Sequence, residues 1–280
     1  MRLVMTLLVR DEQDIVGANL DFHLDHGVDF VIATDNCSED DTVSILEEYR
    51  RQGVLQLIRE DTDDFNQGRW VTRMARLAAV DHGADWVINN DADEFWWPIE
   101  GDLASTLQKV PEGTDALLVP RYNFVVPAEE DRDLPFHRRM TVRYTVPWDP
   151  TKQGPIQPKM AHRAHPDVVV QQGNHDAQWE ARGEVATLGA GVEILHYPIR
   201  SLAQFANKIA KGGAAYERNH DVPEHYGRRW RSMLALQRSG EFGALYADVV
   251  LDDDAVAAGI ARGELVRDRR LTDALSDRKN

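Results

Sequence analysis

The chain has 280 residues, 42 % of them hydrophobic and 28 % charged, with 32 Lys and Arg against 47 Asp and Glu for a formal charge of −15. That is enough chain for a sizeable core. So acidic a surface argues against nucleic acid as a partner, but not against a nucleotide held through a metal ion and a few arginines. A single cysteine, Cys37, excludes an internal disulfide and a cysteine zinc cluster.

Leu3 to Val9 is a continuous apolar run, as a strand buried on both faces would be. It is too short for a signal peptide or a membrane span, so no transmembrane segment and a cytoplasmic location are expected. Asp14–His26 then shows helical spacing through Ile15, Val16, Leu20 and Leu24. Phe30–Thr34 reads as a second strand, Asp40–Gln52 as a second helix and Leu55–Ile58 as a third strand. Arg69–His82 reads as a third helix with Val71, Met74, Ala75 and Ala78 inward. Trp86–Asn89 is a fourth strand. Alternation of this kind predicts an α/β fold, a mostly parallel Rossmann-like sheet flanked by helices. Ligands of such sheets bind beyond the carboxyl ends of the strands, where Arg10, Asp35 and Asp91 fall.

Leu117–Tyr122 looks like another strand. From there to about residue 195 the pattern is irregular, with short β-like pieces at 140–146 and 168–171. Ser201–Glu217 and residues 228–247 read as helical, and 267–280 as a charged, frayed tail. The expected organisation is one domain over 1–266, with a ligand half at 1–122 and an irregular half at 123–266.

Asp91-Ala92-Asp93-Glu94 carries the strongest chemical signal. On extended backbone, carboxylates spaced by two share a face. At a strand end they can converge on one hard divalent cation, Mg²⁺ or Mn²⁺, which keeps some of its water and bridges phosphate oxygens. An acidic turn in solvent is the plain alternative. The buried-type strand before the motif and the aromatic cluster Phe95-Trp96-Trp97-Pro98 after it favour the site.

Three segments taken in order resemble the donor half of family 2 glycosyltransferases, which have the GT-A fold. They are Leu8-Val9-Arg10-Asp11-Glu12, Thr34-Asp35-Asn36-Cys37-Ser38-Glu39-Asp40-Asp41-Thr42 and Asp91-Ala92-Asp93-Glu94-Phe95. Gln157-Pro158-Lys159, Gly173-Asn174-His175 and His196-Tyr197-Pro198-Ile199-Arg200-Ser201 fit the branch whose metal motif reads Asp-x-Asp-Glu-Phe. The likeness is good over about 1–125 and looser over 155–215. It departs at Asp11, where Asn is usual.

The resemblance implies an enzyme of EC 2.4 type that moves a sugar from a nucleotide diphosphate sugar, expected to be a UDP-sugar, to an acceptor hydroxyl with inversion. Asp93 would ligate the metal, with Asp91 bonding metal water or ribose, and a histidine ligand is implied near His196. That histidine could equally be packed on Tyr197. Val9, Arg10, Glu12 and Asp35 would meet the nucleotide, Asp35 by accepting from uracil. Arg69 and Arg73, one turn apart, could reach the diphosphate or be solvated. Glu94 could orient acceptor or sugar, while Trp96 and Trp97 offer flat faces or belong to the core. The catalytic base is expected among His175, Asp176 and Glu180, with Asp176 first because carboxylates are usual in that role. Two competing classes stay open, a sugar nucleotidyltransferase and a non-catalytic nucleotide-sugar-binding protein. The first lacks the Gly-rich phosphate loop it usually has after the first strand. The sugar and the acceptor are not readable.

Overall fold

Strand β1 (Leu3–Val9) is buried at every position. That is the burial its unbroken run of Leu and Val calls for. The computed structural model describes residues 1–280 except 65, 129–132, 188–190, 222, 224 and 278–280. In it β1 is followed by α1 (Val16–Asp25), β2 (Phe30–Asn36), α2 (Thr42–Arg51), β3 (Leu55–Glu60), α3 (Gln67–Val80) and β4 (Trp86–Asp91). Next come β5 (Glu94–Pro98), α4 (Leu103–Gln108) and β6 (Thr114–Val119). β1 pairs in parallel with β2 on one side and β4 on the other, and β3 extends the sheet beyond β2. The helix faces follow the periodicity. α3 buries Trp70, Val71, Met74, Ala75 and Ala78 along one stripe.

The sheet has seven strands in the order 184–187, β6, 159–163, β4, β1, β2, β3. Lys159–Arg163 is antiparallel to both β4 and β6, whereas Glu184–Thr187 runs parallel to β6. The fold is therefore mixed α/β with a mostly parallel central sheet flanked by helices, as the alternation predicts.

By contacts the chain divides into two compact units. The first takes 1–62, 67–121 and 157–195, and the second takes 63–66, 122–156 and 196–280. The first unit thus recovers 157–195, which a sequence division at 122 assigns elsewhere. The second has its own core, with Val126, Ile199, Phe205, Ile209, Met233, Leu234 and Phe242 packed together. Its helix Leu202–Arg218 starts at Ser201, whose side chain accepts from Gln204 N at 3.1 Å. A Cβ at Gly213 would stand 2.7 Å from Leu234 Cβ, so glycine lets this helix approach Arg228–Ser239.

The expectation of a frayed tail over 267–280 is corrected over 267–277, and 278–280 lie outside the described residues. Leu265–Arg267 pairs antiparallel with Val142–Tyr144, and Arg270–Asp277 is a helix. Asp268 there is buried and paired, with Arg143 at 2.7 Å and Arg270 at 2.5 Å. Leu271 is buried. No helix among the described residues is long and apolar enough to cross a membrane.

Candidate active site

β4 ends at Asp91, and Ala92 and Asp93 form a tight turn into β5. This corrects the expectation that Asp91 and Asp93 share one face of extended backbone. The turn comes from the clamp beneath it. Buried Asn19 donates through Nδ2 to Ala92 O at 3.0 Å and Glu94 O at 2.7 Å, and its Oδ1 accepts from Asn90 Nδ2 at 3.1 Å. Phe95 and Trp96 are then drawn into the core. Trp96 Nε1 donates to Asn90 Oδ1 at 3.0 Å. Trp97 is only partly buried and stacks on Phe22 with centroids 5.4 Å apart. Of the two tryptophans, Trp96 is thus the core residue.

Two buried cations meet this turn. Lys159 opens the antiparallel strand beside β4 and is 1 % exposed. Its Nζ pairs with Asp91 Oδ2 and lies 3.4 Å from Glu94 Oε1. Arg121 donates to Glu94 Oε1 at 2.7 Å and to Gln157 O at 3.0 Å. Buried charge at this density is tolerated only because it is paired. The other oxygen of Asp91 accepts from Gln67 Nε2 and Asn174 Nδ2, both at 3.2 Å. Asp93 is itself buried at the turn.

Across the sheet, Leu8 is in register with Asp91, and Val9 with Asp35. The ends of β4, β1 and β2 are therefore level, and Asp35 and Asp91 stand two interstrand spacings apart, about 10 Å. Asp35 is fully buried. Its Oδ2 accepts from Ser38 N at 3.4 Å and lies 3.4 Å from Arg59 Nε. Its Oδ1 is buried with no hydrogen-bond partner among the described residues.

The loops above these ends are laced together. Asp11 N donates to Ser38 Oγ at 2.9 Å, Glu12 N to Thr42 Oγ1 at 2.8 Å, and Glu39 N to Asp11 Oδ1 at 2.8 Å. Asp11 has φ 52° and Cys37 φ 57°, left-handed values that aspartate accepts more readily than most residues. Asp11, where the resemblance departs, is thus a loop-bracing residue. Val9 and Glu12 are buried and Arg10 is partly so.

The expected base window sorts its three candidates differently from the sequence. Asp176 is held by Arg182 at 2.8 Å and by Gln178 at 2.5 Å. Burial pushes its carboxyl up, but these bonds outweigh burial and leave it below its ordinary value. Glu180 is exposed. His175 instead packs on Gly173, and its Nδ1 bonds Pro158 O at 2.7 Å. Since a carbonyl only accepts, Nδ1 carries the proton and Nε2 the lone pair. Burial, then the cations of Lys159 and Arg121, push its pKa down to about 4. At neutral pH it is a neutral imidazole beside the acidic turn.

Arg69 and Arg73 are exposed on α3, where they line an open groove with Thr72, Arg76 and Val169. Arg73 is paired to Glu60 at 3.0 Å. His196 belongs to the second unit, and there its Nδ1 bonds Asn123 Oδ1 at 2.5 Å. That bond leaves the lone pair on Nε2, the tautomer a metal ligand needs. Sequence reasoning assigned no role to Arg121, Gln67 or Asn19, and none to Lys159 beyond its motif. A polar residue within an apolar helical stripe, as at Asn19, was the signal available.

No family model matches the chain, and no curated protein matches it. Among solved structures it is similar to S. aureus TarS 1–349 in complex with UDP-GlcNAc, at 12 % identity over 89 % of this chain and 82 % of that one, TM-score 0.45. It is also similar to glucosyl-3-phosphoglycerate synthase from Mycobacterium tuberculosis in complex with Mn²⁺, UDP-glucose and phosphoglyceric acid. There the identity is 19 %, the coverage 43 % of this chain and 44 % of that one, and the TM-score 0.32. Identities and scores this low carry no functional conclusion to this chain.

Proposed function

We propose that the first unit is the donor-binding half of a metal-dependent glycosyltransferase. It moves a sugar from a nucleoside diphosphate sugar, a UDP-sugar in this reading, to an acceptor hydroxyl with inversion. The observation that carries the proposal is the level rim of β2, β1 and β4. A buried carboxylate with an unpartnered oxygen, Asp35, stands about 10 Å from the acidic turn, two interstrand spacings away. A nucleotide laid across these ends would give its base N–H to Asp35 and its diphosphate to the turn.

The donor set at the turn is carboxylate oxygen, which suits Mg²⁺ or Mn²⁺. Asp91 is already engaged on both oxygens by Lys159, Gln67 and Asn174. On the reading of the motif, Asp93 is the residue proposed to hold the ion, with Asp91 fixing the turn. Bound there, the ion would offset the charge that gathers on the diphosphate as it leaves. Lys159 and Arg121 add fixed positive charge behind the turn.

The acceptor oxygen forms its bond to the anomeric carbon as the bond to the diphosphate breaks, and that electron pair leaves with the nucleotide. The acceptor proton goes to Nε2 of His175. This assigns the base to His175 rather than Asp176, because Asp176 is committed to Arg182. A neutral imidazole near two cations becomes more basic when an anionic donor arrives and offsets them.

The test compares UDP with inorganic pyrophosphate. Asp35→Ala should weaken UDP by about tenfold to a hundredfold, the 1–3 kcal/mol of a lost buried hydrogen bond. Pyrophosphate binding should be unchanged. Equal weakening of both ligands would mean that Asp35 only braces the loop. Release of UDP from a panel of UDP-sugars, with and without Mn²⁺, tests the transferase reading itself.

A further inference from the structure

α3 holds a neighbouring segment through three side chains and one backbone N–H, one turn after another. Arg76 Nε donates to Val168 O at 2.8 Å. Thr72 Oγ1 accepts from Val170 N at 2.9 Å and donates to Val170 O at 3.3 Å, as an adjacent strand would. Gly68 N donates to Gln172 Oε1 at 2.8 Å. Gln67 Oε1 accepts from Gly173 N at 3.0 Å. Residues 168–173 thus take a helix face where a strand would take a strand edge.

The ladder ends at a left-handed turn. Gly173 has φ 86° and Asn174 φ 61°. Glycine and asparagine both accept these values, and bonds to neighbours hold them there. Here both partners are visible: Gly173 is held by Gln67, and Asn174 by Asp91. Gln67 is buried, and its two amide atoms are distinguished by what they meet. The oxygen faces a backbone N–H, and the nitrogen faces Asp91 Oδ1 at 3.2 Å. One amide therefore spans the acidic turn and the turn that presents His175.

We infer that Gln67 is a positioning residue for the transfer, setting His175 relative to the acidic turn by bonding Gly173 N and Asp91 at once. This rests on the reading of His175 as proton acceptor. Gln67 touches no reacting atom, and its effect on rate passes through where His175 stands. Thr72 supports the same turn one step along the ladder.

The experiment uses the full chain with Gln67→Met, Thr72→Val, Thr72→Ser, His175→Ala and the Gln67→Met/His175→Ala double variant. Turnover is read as UDP release from UDP-glucose, UDP-galactose and UDP-N-acetylglucosamine, and amide exchange is followed over 167–176. Gln67→Met should speed exchange in that segment and lower kcat by about tenfold to a hundredfold, the scale of an ångström's misplacement. Donor KM should hold within about twofold, since Asp91 keeps its bonds to Lys159 and Asn174. In the His175→Ala background the same change should cost nothing more. Thr72→Val should share the faster exchange and Thr72→Ser restore native exchange. Unchanged exchange in Gln67→Met overturns the inference whether or not any donor is turned over. So does a loss that adds in full to that of His175→Ala. Native turnover in His175→Ala alone sinks the base reading, and the positioning role with it. Loss in His175→Ala but none in Gln67→Met sinks only the positioning role.

Discussion

Two carboxylates of one motif have separate duties at the residue scale. Asp91 faces a buried ammonium, so its removal leaves Lys159 with a weaker, longer contact to Glu94. Asp91→Asn should cost less folding stability than the about 3–5 kcal/mol of a fully broken buried ion pair, because Asp91 is 30 % exposed and Lys159 keeps Glu94, measured by urea unfolding. Asp93→Asn should fold normally and lose the Mn²⁺-dependent part of UDP affinity, measured by calorimetry with and without Mn²⁺. Undiminished metal dependence in Asp93→Asn would remove the ion from this turn. His175 adds a dependence on pH. With its pKa pushed down to about 4, it is neutral and able to accept a proton above that value, and kcat/KM should fall as pH drops through it. Bound donor offsets Lys159 and Arg121, so the acidic limb of kcat should lie at higher pH than that of kcat/KM. A limb that persists unmoved in His175→Gln belongs to another group.

The turn before His175 is the informative element. Glycine is required at 173 twice over, by its φ of 86° and because an added Cβ would stand 2.7 Å from His175 Cδ2. Gly173→Ala should lower kcat well below native and cost about 1–2 kcal/mol of stability, since it must either strain the backbone or displace the imidazole. Native turnover together with native stability would show that the imidazole does not need this seat. The elements legible in the sequence are those with a period. β1 to β4 and α1 to α3 follow from apolar runs and helical stripes, with ends shifted by at most two residues. Lys159–Arg163 was not legible as a sheet strand, because its Lys and His are buried by pairing rather than by hydropathy. The tight turn at 92–93 was missed for a related reason, since the clamp that makes it is Asn19, 73 residues earlier. At the site, the acidic motif and Asp35 could be read from strand ends. The charge balance could not, because Arg121 and Lys159 reach it from distant positions in the sequence.

For the whole molecule, buried histidines work against folding in acid. Burial pushes His23 down to about 3 and His162 to about 4. An unfolded chain titrates these groups near 6.5, so below that pH it binds protons that the folded state refuses. Their contribution to stability is complete above pH 6.5 and lost progressively toward pH 4, on the order of 2–3 kcal/mol each by pH 4.5. Urea midpoints should fall over that range, and His162→Gln should flatten the slope. A slope unchanged by that replacement would shift the cause to the carboxylates.

Because Lys159–Arg163 lies between β4 and β6, the order of synthesis differs from the order of assembly. A chain still on the ribosome has β1 to β4 in hand, yet β4 faces water along one edge until residue 163 has emerged. At roughly 5–20 residues per second that interval lasts several seconds. During it the nascent chain exposes the unpaired edge of an apolar strand, the kind of surface that invites another chain to pair. Lys159, which later balances the acidic turn, is also the first residue of the strand that closes this gap. The chemistry of the site and the end of the vulnerable period therefore arrive with the same stretch of polypeptide.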